Sequence, residues 1–196
     1  MVSDGEDMDG EAGGGRVAAA GTLFLEHVVV YRELLGDAAV ERGLAAVAPE
    51  VRRAYESCVP GAGIDVGVSV QLYSAIAEAA GRDVVELHAE AIRIGYTRAL
   101  TGLWRALMLR MATDRAIVSR APMLFAKTFT GGSMEGELQA PGRAVFHIRG
   151  WPSMPALHRV GICGGMQAVL ELSGRRDVQI DSVETSDGAR YVCTWS

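Results

Sequence analysis

Three cysteines in 196 residues are too few, too far apart and odd in number to staple a fold. Cys58, Cys163 and Cys193 form no Cys-x-x-Cys pair and stand in no His/Cys cluster, which argues against a disulfide framework and against structural zinc. They are expected as free, buried thiols in a reducing compartment. Long apolar runs are missing too: charges interrupt every stretch before the ~20 residues a membrane-spanning helix needs. The N-terminus opens acidic and Gly-rich rather than basic and apolar, so no secretory signal is expected and the expected location is cytoplasmic. Positive charge is also in deficit, with a net charge of −5. That removes the electrostatic reason to expect nucleic acid or an anionic membrane as partner.

The familiar signatures of catalysis and metal binding are absent as well. His27, His88, His147 and His158 make no His-x-His or His-x-x-x-His pair, so each reads as a structural or surface histidine and no metal ligand is named. His147 lies between Phe146 and Ile148 in a predicted strand and faces away from both. No Gly-x-Ser-x-Gly elbow occurs. Ser-His-Asp or Cys-His sets assembled from distant residues have no local signature, so no catalytic residue is named either. Gly131-Gly132-Ser133 is too short for a phosphate loop and lacks its lysine, which leaves a turn. Glu135 and Glu137 alternate on one strand face, the pattern of a solvated face. The chain is therefore read as non-enzymatic, with no cofactor.

What the sequence does hold is core. Apolar residues make up 49% of the chain, enough for one domain. Residues 1–21, with Asp4, Glu6, Asp7, Asp9, Glu11 and the run Gly13-Gly14-Gly15, cannot bury enough surface to order themselves and are expected as a disordered tail. Residues 22–196 are expected as a single α+β domain. Its first half reads as helical. Gly36 ends one segment, Asp37 begins a turn running to Val47, Pro49 opens a helix to Cys58, and Pro60-Gly61-Ala62-Gly63 is a break. Ser69 is the expected cap of a helix through Ala80. A long helix is predicted over Asp83–Met111, with Asp83 and Glu86 as a capping box. Its polar positions Glu86, Glu90, Arg93, Thr97, Thr101 and Arg105 form one narrow wet stripe, the mark of a helix packed on several sides. Thr113-Asp114 restarts a helix that Pro122 is expected to kink.

After Thr130 the period changes. Met134–Gln139 and Ala144–Arg149 alternate around Pro141-Gly142, and Val178–Val183 and Ala189–Trp195 alternate around Ser186-Asp187-Gly188. A helix from Pro155 to Leu172 separates the two hairpins. The order β-β-α-β-β predicts an antiparallel sheet covered on one face by helices.

Several strings resemble an uncharacterised family of myxobacterial proteins of similar length: Gly95-Tyr96 with Thr101-Gly102, Lys127-Thr128-Phe129-Thr130-Gly131-Gly132, Trp151-Pro152, Gly161 with Gly165, Leu170-Glu171-Leu172-Ser173-Gly174, and Tyr191-Val192-Cys193-Thr194-Trp195. The likeness covers roughly residues 22–196 and rests on packing and turn signatures. That family looks like part of the superfamily of haem–nitric oxide/oxygen binding domains, 4-vinyl reductase-type domains and TRAPP trafficking subunits. The resemblance implies helices followed by a small antiparallel sheet enclosing a pocket, used by relatives for haem, small hydrophobic molecules or an acyl chain, or else a surface used for assembly. It also implies, for haem, a proximal histidine and a Tyr-x-Ser-x-Arg clamp. This sequence has no such string, and nothing in it pairs with His88.

The leading expectation is a non-enzymatic domain, binding or sensory in intracellular signalling, with a hydrophobic small molecule between the long helix and the sheet. Tyr96, Trp104, Phe129 and Cys163 are the candidate lining residues. Cys163 sits in Gly161-Ile162-Cys163-Gly164-Gly165, where bare backbone allows close approach of a ligand or of another helix. The alternative is a module without ligand that forms a homodimer or docks a signalling protein, using Trp151 or the last hairpin.

Overall fold

The structure is a computed structural model that describes residues 16–99 and 113–196. The helical half holds α1 (Gly21–Leu35), α2 (Asp37–Ala46), α3 (Pro49–Glu56), α4 (Val66–Ala79) and α5 (Val84–Ala99). Helix α6 (Asp114–Thr128) follows, then strands β4 (Ser133–Ala140) and β5 (Arg143–Arg149), helix α7 (Ala156–Leu172), and strands β6 (Gln179–Thr185) and β7 (Gly188–Thr194). The predicted β-β-α-β-β half is therefore present, as one antiparallel sheet in the order β4-β5-β7-β6.

Three short strands were not expected. β1 (Ala18–Ala20) pairs antiparallel with β2 (Gly63–Asp65) and with β3 (Phe129–Thr130). This corrects the tail boundary: ordered chain begins before Thr22, with Val17 and Ala19 buried in the core. The small sheet matters for the site, because it ties the start of α1, the start of α4 and the end of α6 to one another.

The caps explain where the helices start. Asp83 Oδ1 accepts from the N–H groups of Val85 and Glu86 at 2.9 Å each, and Thr113 Oγ1 accepts from Ala116 N–H at 3.2 Å. Both use the side-chain oxygen to satisfy first-turn donors. Helix α4 departs from expectation. It begins four residues earlier, capped by Asp65, whose Oδ1 accepts from Gly67 N–H at 2.7 Å. Ser69 is an interior residue of that helix, 2% exposed. Helix α6 runs unbroken through Pro122. The predicted long helix is described as far as Ala99; the rest of it, with Trp104, lies outside the described residues.

The inward face of the sheet follows its pleat. Ala144, Phe146 and Ile148 on β5 stand opposite Cys193, Tyr191 and Ala189 on β7, and all six are buried. Helix α6 lies over β4, and α7 lies towards β6 and against α5. The three α7 glycines make that last contact close. A Cβ at Gly164 would sit 2.7 Å from Ile92 Cγ2, and one at Gly165 would sit 2.6 Å from Tyr96 Oη. Backbone packed on α5 side chains accounts for a helix interior that carries glycines at about 1 kcal/mol each.

Candidate functional site

Four helices turn one stripe each towards a common space. His27 and Tyr31 are one turn apart on α1, Ser69 and Tyr73 on α4, and His88, Ile92 and Tyr96 successive turns on α5. Helix α7 adds His158, Gly161 and Ile162. The three histidines are 5%, 3% and 7% exposed, so the polar groups of this stripe are inside the core. The rings pack on one another: Tyr73 and His88 stack with centroids 5.1 Å apart, while His27 and His88 at 4.9 Å and Tyr31 and Tyr73 at 5.2 Å meet edge to face.

Hydrogen bonds tie these side chains together. Tyr73 Oη lies 3.4 Å from the Phe24 carbonyl and 3.3 Å from His27 Nδ1, and its one proton can serve either acceptor. Ser69 Oγ donates to the Val66 carbonyl at 2.9 Å and lies 3.3 Å from His158 Nε2. His158 Nδ1 is buried and has no hydrogen-bond partner among the described residues. The third pair is Tyr31 Oη with His88 Nδ1 at 2.8 Å, which leaves His88 Nε2 facing the position a Cβ at Gly161 would fill, 3.4 Å away.

All three imidazoles are neutral at pH 7. Burial pushes His27 from 6.5 down to about 4, helped by the nearby His158. Burial alone takes His158 to about 4, and burial with the two neighbouring histidines holds His88 well below its usual value.

Two cavities lie side by side here. The first, about 40 Å³, lies among His27, Ser69, Tyr73, His88, Tyr96 and His158. It has room for roughly three waters at about 10–15 Å³ each. The second, about 100 Å³, is apolar and lies among α6, α7 and the inner face of the sheet, at Leu124, Phe125, Met134, Phe146 and Met166. Tyr96, Thr128, Phe129 and Ile162 line both. No Asp, Glu, Lys or Arg among the described residues lines either one. Of the residues singled out from sequence, Tyr96 and Phe129 thus stand at the junction. Cys163 lines neither cavity; its thiol lies at Ser182 of β6. Trp151 is buried against Phe129 and His158, with ring centroids 5.2 and 5.4 Å away. The histidine cluster itself was not anticipated. The signal that could have found it is the repeated one-turn pairing of a polar or aromatic residue with another on otherwise apolar helices.

The helical half joined to a β-β-α-β-β sheet is an H-NOX-like α+β fold. The chain is similar in structure to a point mutant of the Fe(II) unliganded H-NOX protein from K. algicida, with a TM-score of 0.69 and 11% identity over 90% of this chain and 96% of that one. It is similar to a point mutant of the T. tengcongensis H-NOX, with a TM-score of 0.58 and 16% identity over 90% and 97%. It is also similar to an oxygen-binding H-NOX domain related to soluble guanylate cyclases, with a TM-score of 0.56 and 15% identity over 90% and 94%. No protein-family model and no curated protein matches the sequence. At these identities the likeness establishes the fold.

The pocket does not fit a haem. A ligand of that size needs a site of about 300 Å³ or more, and cavities of about 40 and 100 Å³ fall short. Among the described residues no cation lines either cavity to pair the propionates. Among the described residues no group of three or more His, Cys, Asp or Glu side chains is placed to hold a metal ion.

Proposed function

We propose that this chain is a non-enzymatic sensory domain of intracellular signalling that binds a small hydrophobic molecule at the seam between α5, α6, α7 and the sheet. One observation carries this reading: two neighbouring cavities that share four wall residues, the larger apolar, in a core whose other large side chains are tightly buried. The larger is smaller than the roughly 150 Å³ apolar cavity that stays dry and takes benzene or xenon. Binding draws on removal of apolar surface from water at about 25 cal/mol per Å², with Tyr96 and Phe129 as contact residues. The fold shared with H-NOX domains supports a binding role, while the ligand is of a different kind because a haem does not fit.

Native mass spectrometry of protein purified from cells, together with xenon titration followed by NMR, tests this. The expected results are a co-purifying small molecule or a saturable xenon site at Phe125, Met134 and Met166. A clean apo mass with no saturable xenon response overturns the reading.

A further inference from the structure

Helix α6 turns a basic face to solvent. Arg115, Ser119, Arg120, Met123 and Lys127 are all exposed, and at 3.6 residues per turn they fall within one arc of about 140°. Arg120, Met123 and Lys127 follow one another at steps of three and four, so they stand in one row. The opposite face is core: Ile117, Val118 and Phe125 are buried, and Ala121, Leu124 and Phe125 wall the apolar cavity. No carboxylate of α6 shares the basic face, because its one acid, Asp114, is taken by Gly142, Arg175 and Trp195. Exposed arginines of the helical half are paired within their own surroundings, Arg52 with Glu56 at 2.8 Å and Arg82 with Glu90 at 3.2 Å. Arg115 and Arg120 have no such partner among the described residues.

The start of the chain has the opposite charge. Residues 4–11 hold five carboxylates, Asp4, Glu6, Asp7, Asp9 and Glu11, and no lysine or arginine stands before Arg16. The described chain begins close to the end of α6. β1 pairs with β3 directly after that helix, and the Arg16 carbonyl lies 3.3 Å from where a Cβ at Gly131 would stand. Gly13-Gly14-Gly15 separate the acids from Arg16, with no Cβ to oppose a reversal of the chain. Asp7 and Arg16 are about nine residues apart, a link that spans roughly 15–18 Å. The row from Lys127 back to Arg115 is about 18 Å long.

We infer that the acidic segment 1–15 of this chain docks on the exposed basic face of α6, with its carboxylates over Arg115, Arg120 and Lys127. Each contact is weak, as exposed ion pairs are, and screened by salt. Tethering compensates, because a short link holds the segment at a local concentration on the order of millimolar. The segment lies on the outside of the wall whose inner side faces the apolar cavity. The contact stands whether or not that cavity takes a ligand.

Lys127 is the single lysine of the chain, which gives the contact its own reporter. Carbodiimide treatment of the full chain joins a carboxylate to an adjacent amine as an amide, the carbodiimide taking up the water. Mixing ¹⁴N- and ¹⁵N-labelled protein separates links within a chain from links between chains in the mass spectrum. The expected products join Lys127 to Asp4, Glu6, Asp7, Asp9 or Glu11 of the same chain, and their yield falls severalfold between about 20 and about 500 mM NaCl. Arg115→Gln together with Arg120→Gln removes attraction and keeps the reactive amine, so the yield should fall about threefold. Exchanging the five carboxylates for their amides should shift the NMR signals of the α6 backbone amides and leave those of α3, which also carries exposed arginines, in place. Links from Lys127 only to carboxylates beyond residue 15 overturn the inference, and so does a yield that ignores both salt and the two arginines. Links found only between ¹⁴N and ¹⁵N chains assign the contact to a second copy and overturn it as well.

Discussion

Three neutral histidines in one core make the fold sensitive to acid, and the sign follows from their environment. Each has a folded pKa depressed below the ordinary 6.5, to about 4 for His27 and His158 and well below the usual value for His88. The unfolded chain therefore binds protons that the folded chain refuses between pH 6.5 and about 4. Stability is full above pH 6.5 and is lost as pH falls through that window, by roughly 3 kcal/mol at the limit for each of His27 and His158. Urea unfolding at pH 7.5, 6 and 4.5 should show the midpoint falling steadily; a flat profile would mean that the histidines titrate in contact with water. Tyr73 offers a second test on the same residues. Its hydroxyl lies within hydrogen-bond distance of His27 Nδ1 and of the Phe24 carbonyl, so Tyr73→Phe takes the hydrogen-bond partner from a buried imidazole. The expected destabilisation is about 1–3 kcal/mol, measured by denaturant unfolding at pH 7.5.

At the scale of elements, Asp114 joins four pieces of chain that are far apart in sequence. It begins α6, its Oδ2 accepts from Gly142 N–H in the β4–β5 turn at 3.0 Å, and its Oδ1 accepts from Arg175 after α7 at 2.9 Å and from Trp195 Nε1 after β7 at 3.2 Å. Burial alone would raise its pKa, but the Gly142 N–H, Arg175 and Trp195 outweigh it and hold the carboxyl below its usual range. Asp114→Ala should cost about 2–3 kcal/mol, because it strips a guanidinium whose side chain is only 10% exposed of a carboxylate. Thermal unfolding checks this, and an unchanged Tm would show that Arg175 is held by its other contacts. The sequence announces Asp114 only as a residue near a helix start. Much else at this scale is legible: the two hairpins from alternation and turn residues, the ends of α1 and α7 from Gly36 and Gly174, and the starts of α5 and α6 from Asp83 and Thr113. Periods of two and 3.6 are local, and so are caps. Ala18–Ala20 has no alternation to read and becomes a strand only because Gly63–Asp65 and Phe129–Thr130 arrive on either side. Ser69 looks like a cap and is interior because Asp65 reaches Gly67 first. The histidine cluster is illegible for the same reason: His27, His88 and His158 each stand alone on their own helix, and only the packing of α1, α5 and α7 makes them neighbours.

The whole molecule sets a filled core beside an unfilled one. Phe24, Tyr31, Leu72 and Ile76 pack the helical half with almost no exposure, whereas the space among α6, α7 and the sheet stays open at about 100 Å³. Among the described residues, the exposed large apolar side chains Val29, Val59, Met123 and Val183 are spread over α1, the loop after α3, α6 and β6, and no helix is long and apolar enough to cross a membrane. An apolar void loses the dispersion contacts its walls would otherwise make, so a chain that keeps one without a ligand gives up stability. Filling it separates the two accounts. Ala121 lines the apolar cavity from α6, and Ala121→Leu adds three carbons there without changing the polar cavity. If the space is open for a ligand, the variant should gain about 1–2 kcal/mol, raise the Tm, and lose both xenon binding and any co-purifying molecule. If side chains already close the space in solution, the same change overpacks the core, and stability should fall by about 1–3 kcal/mol.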